Sequence, residues 1–240
     1  MALNAKSVPT SSGPRAPVLD EGGYPARLVQ VIDLGLQPQR PYQGQEKPPA
    51  YELQVVYESS DEFMPGEDGE PDESKPRWFW ENFALHNLKS DRATSTKRYL
   101  ALDPNLEYDG DWSKLIGKPV IVALTKTQGR DGNEYNNVAA ISTMRSKEAA
   151  KLPDLVNDPV VFDLDDPDLD VFNSLPDRIQ EKIKGNLNFG GSKLEALLKG
   201  GKTETKKTTK KEAVVDDEIP FDIEDEVNIA GNEEDDDSEW

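Results

Sequence analysis

The chain has no cysteine and one histidine, His86. Without thiols there is no disulfide framework, no thiolate zinc site and no cysteine nucleophile. A serine hydrolase would have to rest on His86 alone, and a multi-histidine metal centre cannot be built. Long apolar runs are missing too. Nothing approaches the roughly 18 residues that a membrane-crossing helix needs, and the first residues lack the charged-then-apolar pattern of a secretory signal. These absences lead us to expect a soluble, cytoplasmic protein; no cofactor, metal or enzymatic activity is expected of the binding protein read below.

Basic charge is also in short supply: 28 Lys and Arg stand against 47 Asp and Glu, a net −19. The deficit is uneven. Residues 213–240 hold thirteen acids and no base, leaving −6 for the remainder. That tail is expected to be disordered, because so charged a segment cannot bury enough surface to offset its ordering entropy. Apolar residues interrupt its acid at Ile219-Pro220-Phe221 and at Trp240, which suits a segment that docks on partners. Seven further acids crowd residues 61–73, where Pro65, Gly66, Gly69 and Pro71 suggest a surface loop. Between 74 and 130 the balance reverses, with ten bases against six acids. Local potential governs binding to nucleic acid, so an acidic protein with a basic middle still qualifies.

Residues 1–22 read as a flexible Ser/Pro/Ala-rich arm. Strands are predicted at 24–35, with Gly35 marking a bulge or an end, and at 51–58, where Tyr51, Leu53, Val55 and Tyr57 alternate with polar residues. A third strand, 77–83, is aromatic on both faces, so one face must lie outside the core or under a second layer. A helix capped by Asp91 and running through Leu102 and a short turn at 112–116 precede strands at 119–126 and 134–143, joined by a hairpin with Asp131-Gly132. Five strands with a helix between the third and fourth match the order of an OB-fold, a small Greek-key barrel, over residues 23–146. Residues 147–201 are predicted as a helical appendage: one helix from Asp166-Pro167, one from Ser174 and Pro176, one from the capping box Ser192–Glu195. Being short, they should pack on the barrel. A Lys/Thr linker from 202 leads into the tail.

A single strand is held by a cationic groove and by aromatic faces on which bases stack. Candidates for this role are Tyr42 in the loop after the first strand, Arg77, Trp78 and Trp80 on the third, and Lys126, Arg130 and Tyr135 around the last hairpin. Lys97 and Arg98, within Ser95-Thr-Lys-Arg-Tyr99, suit phosphate contact. Asp163, Asp165, Asp166, Asp168 and Asp170 do not fit a calcium loop, since the sixth and twelfth positions from Asp163 are Asp168 and Ser174 instead of Gly and Glu. Helix capping accounts for them better, and a two-metal nuclease is disfavoured.

In strand order, basic middle and aromatic-tipped acidic tail, the chain resembles bacteriophage single-stranded DNA-binding (helix-destabilising) proteins. Asp216-Asp-Glu-Ile-Pro-Phe221 is similar to the acidic tip of the bacterial single-stranded DNA-binding proteins, although there the Phe ends the chain and here it lies nineteen residues inside. The resemblance implies a protein that coats single-stranded DNA in the host cytoplasm during phage replication and recombination. It also implies a tail that masks the groove, with Phe221 and Trp240 contacting a DNA polymerase, helicase or recombination protein. A homo-oligomer is compatible with this reading. The alternative is an acidic interaction protein, a DNA mimic or an assembly scaffold.

Overall fold

The computed structural model describes residues 17–41, 44–129 and 132–200. It is mainly β. Five antiparallel strands, β1 (Gly22–Gln37), β2 (Ala50–Pro65), β3 (Pro71–Ala84), β4 (Pro119–Gln128) and β5 (Glu134–Thr143), follow the order β3-β2-β1-β4-β5. A short β6 (Val160–Phe162) adds to β1 in parallel. The helices are α1 (Thr94–Leu102), α2 (Ser146–Ala149), α3 (Leu169–Ser174), α4 (Asp177–Lys184) and α5 (Lys193–Leu198), with a 3-10 turn at Trp112–Leu115. Among the described residues no helix is long and apolar enough to cross a membrane.

β1 organises the sheet. Its first residues pair with β4, from Gly22↔Leu124 to Arg27↔Pro119, and the rest pairs with β2 from Ala26↔Ser59 onward. Two register shifts bend it, the second between Asp33 and Gly35. Gly35 has φ +78°, and a Cβ there would meet Asn186 Cγ at 2.7 Å, so glycine is required both by the backbone and by close packing. The Asp33 carboxylate accepts the Gly35 N–H and stabilises the bulge.

The bends let β1 serve two cores. On one side Ala26, Leu28 and Val31 pack with Tyr57, Phe79, Phe83, Tyr99, Trp112 and Val122. On the other, Ile32 and Leu34 meet Phe162, Phe172, Leu175, Ile179, Ile183 and Leu194. This second core is the C-terminal appendage. Its helices are too short to persist alone and are held by burial. In α4, Ile179 and Ile183 at i, i+4 form the buried stripe, Lys182 and Lys184 complement the dipole in the last turn, and Gly185 ends it. Asp168 caps α3 by accepting the Asp170 and Val171 N–H groups, and Ser192 caps α5 through the Glu195 N–H.

Some boundaries differ from expectation. The acidic stretch 61–73 is mostly strand: the β2–β3 ladder continues to Met64↔Asp72 and Pro65↔Pro71, leaving only 66–70 as the turn. Backbone pairing prevails there because the acids lie at an exposed tip where water screens them. Asp72 is held down to about 2 by hydrogen bonds from Ser74 and Lys75. α1 starts at Thr94 and is not capped by Asp91: Ala93 is at its N-cap, with no side-chain cap. Both β6 and α2 are additions; three or four residues carry too little periodicity to be read.

Candidate nucleic-acid interface

Along β3, Phe79 and Phe83 turn into the first core while Trp78 and Trp80 face the other way, both half-buried. Cross-strand on β2, Glu58 stands opposite Trp78 and Val56 opposite Trp80. An outer sheet face would normally be wet, yet Glu58 is 3% and Val56 5% exposed. A second layer covers them. The segment after β5 crosses outside β1 and β2: Arg27 donates to the carbonyls of Leu152 and Pro153, and the Glu58 carboxylate accepts from Val156 N at 2.6 Å and from Asn157 N and Nδ2 at 3.2 and 2.6 Å. A cavity of about 310 Å³ lies beneath this crossing, but Glu58, Glu73 and Asp154 in its lining make it hostile to phosphate.

The roof continues over Trp80. α4 is tied to β2 by Lys182–Glu52 at 3.0 Å and to β1 by the Gln37 side chain, which donates to the Lys182 carbonyl. So positioned, the Arg178 guanidinium lies 4.8 Å from the Trp80 ring centroid. Trp78 Nε1 is buried with no hydrogen-bond partner among the described residues.

Arg98 belongs elsewhere. It is 7% exposed, and its guanidinium grips both Glu81 carboxylate oxygens, with Nε 2.8 Å from Oε1 and Nη2 2.9 Å from Oε2. Nη2 also donates to the Ala139 carbonyl of β5, and the Tyr57 hydroxyl donates to Glu81. Four elements therefore meet in one buried knot between β3 and β5. Burial pushes the Tyr57 hydroxyl well above its ordinary pKa, and the Glu81 charge pushes the same way. Its neighbour Lys97 is exposed on α1.

A third group gathers where residues 17–21 lie against the sheet. Leu19 pairs through its backbone with the Asn136 side-chain amide, N to Oδ1 at 2.8 Å and Nδ2 to O at 2.9 Å. Lys126 Nζ binds Asp20 at 2.8 Å, its backbone N–H binds Glu21, and Arg77 donates to the Pro17 carbonyl. The hydrogen bond between them lowers the Asp20 pKa and raises that of Lys126. Tyr135, next to Asn136, is 4% exposed, so its ring presents no open face.

The expected residues thus do not form one groove. Trp78 and Trp80 share the roofed outer face, Arg77 and Lys126 share contacts with 17–21, and Lys97 and Arg98 sit on α1. Tyr42, Arg130, Phe221 and Trp240 lie outside the described residues, as does the acidic tail. Sequence reading missed Arg178. The helical period that buries Ile179 marks its neighbour as peripheral to the core, but nothing in the sequence links it to a tryptophan on β3. Comparison with known protein families, curated proteins and solved structures finds no match for this chain.

Proposed function

We propose that this protein is a non-enzymatic single-stranded DNA-binding protein whose contact surface centres on Trp78 and Trp80 of β3. The observation that carries the reading is the pair of tryptophans turned away from the core, on a strand whose other face already fills that core with Phe79 and Phe83. A strand needs one aromatic face for packing; a second, half-open one suits base stacking, worth about 1–3 kcal/mol per base. The strand path fits an OB-type barrel, with the Arg98–Glu81 knot spanning the seam between β3 and β5 in place of a backbone ladder. Arg77, next to Trp78 on β3, adds charge beside it, Lys97 and Lys126 add cationic charge elsewhere on the surface, and the tail 213–240, through Phe221 and Trp240, recruits replication partners and shields the cationic surface.

The test is quenching of tryptophan fluorescence by oligo-dT at two salt concentrations, for the wild type and for Trp80→Ala. Salt-sensitive quenching, with affinity reduced by about 1–3 kcal/mol in the variant and an unchanged circular dichroism spectrum, supports the proposal. Deleting 213–240 should tighten binding, most visibly at low salt.

A second reading, an acidic interaction protein, draws on the way the chain engages its own cations: Lys126 with Asp20, Arg98 with Glu81, Lys182 with Glu52. It anticipates a folded protein that oligo-dT leaves unquenched, with or without the tail.

A further inference from the structure

Residues 17–21, ahead of β1, touch the strands at both ends of the sheet order: the Pro17 carbonyl accepts from Arg77 on β3, and Leu19 pairs with Asn136 on β5. We propose that this strap is a built-in competitor of the single strand, with Asp20 and Glu21 occupying Lys126 where a phosphate would bind. This rests on the single-strand reading above and adds to it a regulation by the chain itself.

Three observations carry the proposal. First, the strap makes the contacts that a nucleotide makes. The Asp20 carboxylate meets Lys126 Nζ at 2.8 Å, and the Glu21 carboxylate accepts the Lys126 backbone N–H at 3.0 Å. Anionic oxygens on a lysine and on a backbone N–H are the chemistry of phosphate contact. The Asn136 amide, meanwhile, gives its oxygen to the Leu19 N–H and its Nδ2 to the Leu19 carbonyl. A side-chain amide uses that same acceptor and donor pair on the edge of a base. Second, these contacts exchange at low cost. The Asp20 side chain is 95% exposed although it is paired, so water competes for it and the pair contributes little to the fold. Leu19 is the strap's apolar anchor on the first core, and it is only partly buried there. Third, the seated strap outnumbers the cation. Asp20, Glu21 and Glu134 of β5 all act on Lys126, and each favours its charged form. Together they make its surroundings net negative, which repels a phosphate; withdrawing the strap removes two of the three acids.

The experiment measures anisotropy of labelled oligo-dT at low salt, where surface pairs are strongest. Full-length wild type, Asp20→Asn/Glu21→Gln, Lys126→Ala and the triple variant form a double-mutant cycle, with melting temperatures taken in parallel. Neutralising the strap should tighten binding about fivefold, the worth of two exposed pairs, at an unchanged melting temperature. Lys126→Ala should then cost about threefold more in the neutralised chain than in the wild type, because only there is the lysine open to phosphate. Loss of two acids tightens binding to any polyanion, so a gain of equal size with and without Lys126 overturns the proposal. Unchanged or weaker binding by the neutralised chain also overturns it, and with a lowered melting temperature makes the strap a structural element. Should the double variant fail to fold, Asp20→Asn alone, which alters only the exposed carboxylate, carries the same cycle. Binding by the neutralised chain where the wild type is silent supports the proposal in its strongest form. Silence from all four chains sinks the single-strand reading and this inference with it, whereas a wild type that binds as its variants do sinks only the role of the strap.

Discussion

Arg98 and Lys126 are both cations beside strands, both ion-paired, and both natural candidates for phosphate contact, yet their surroundings give them different work. The Arg98–Glu81 side chains are 8% and 10% exposed, and their pair is extended by Tyr57 and the Ala139 carbonyl into a knot spanning β3, α1, β2 and β5. The Lys126–Asp20 side chains are 31% and 95% exposed, at the edge where residues 17–21 cross the sheet. A charge enclosed in protein must stay paired, since an orphaned partner has no water to turn to. A surface pair exchanges one solvated arrangement for another and contributes little. Charge alone therefore does not identify a ligand contact. Solvent access decides whether a cation is mortar or handle.

The sharpest way to break this comparison is Arg98→Ala, which leaves Glu81 buried and unpaired. We expect a loss of about 3–5 kcal/mol in denaturant unfolding; a loss no larger than that of an ordinary surface change would show that water reaches the seam. Ile183→Ala, in the core beneath Arg178, should cost about 2–5 kcal/mol in the same assay. A second, separate unfolding step in that variant would mean that the appendage melts apart from the sheet. Tyr57→Phe should cost about 1 kcal/mol and also change the alkaline limb of stability. The Tyr57 pKa is raised on folding, so its contribution is intact below the ordinary value of 10.0 and is lost as pH climbs beyond it. Tyr57→Phe should soften that decline without abolishing it, because Tyr24 and Tyr99 are raised too. The smallest effect is expected of Asp20→Asn, whose melting temperature should match the wild type; a clear drop would promote residues 17–21 from surface strap to structural element.

Much of the architecture was legible in the chain. Alternation in Tyr51, Leu53, Val55 and Tyr57 marked β2, and Leu53, Val55 and Tyr57 enter the first core, although Tyr51 at the strand's start is 54% exposed and Gln54 and Glu58 on the other face are buried as well. The helices of the appendage were visible from Ile179 and Ile183 at i, i+4 and from the Ser192 cap, because capping and helical period are local rules. The aromatic run at 77–83 announced that one face of β3 would lie outside the core or under a second layer, and α4 is part of such a layer. The candidate site was far less legible. Lys97 and Arg98 are adjacent in sequence, yet one is exposed and the other is locked to Glu81, seventeen positions away. Arg178 and Trp80 lie ninety-eight positions apart, and no composition or period couples them.

The sequence by itself determined the elements: which stretches extend, which coil, where glycine must sit, and that one strand would be aromatic on both faces. These follow from interactions between residues a few positions apart, whose energies depend little on the rest of the chain. Only the tertiary structure decided which cations face solvent, which tryptophans turn from the core, and that a C-terminal helix lays an arginine across one of them. Those outcomes depend on burial, and burial is set by how distant segments share the two faces of β1. A charged side chain can be paired and enclosed or left for a ligand at similar local cost. It is the neighbour brought from far along the chain that settles which.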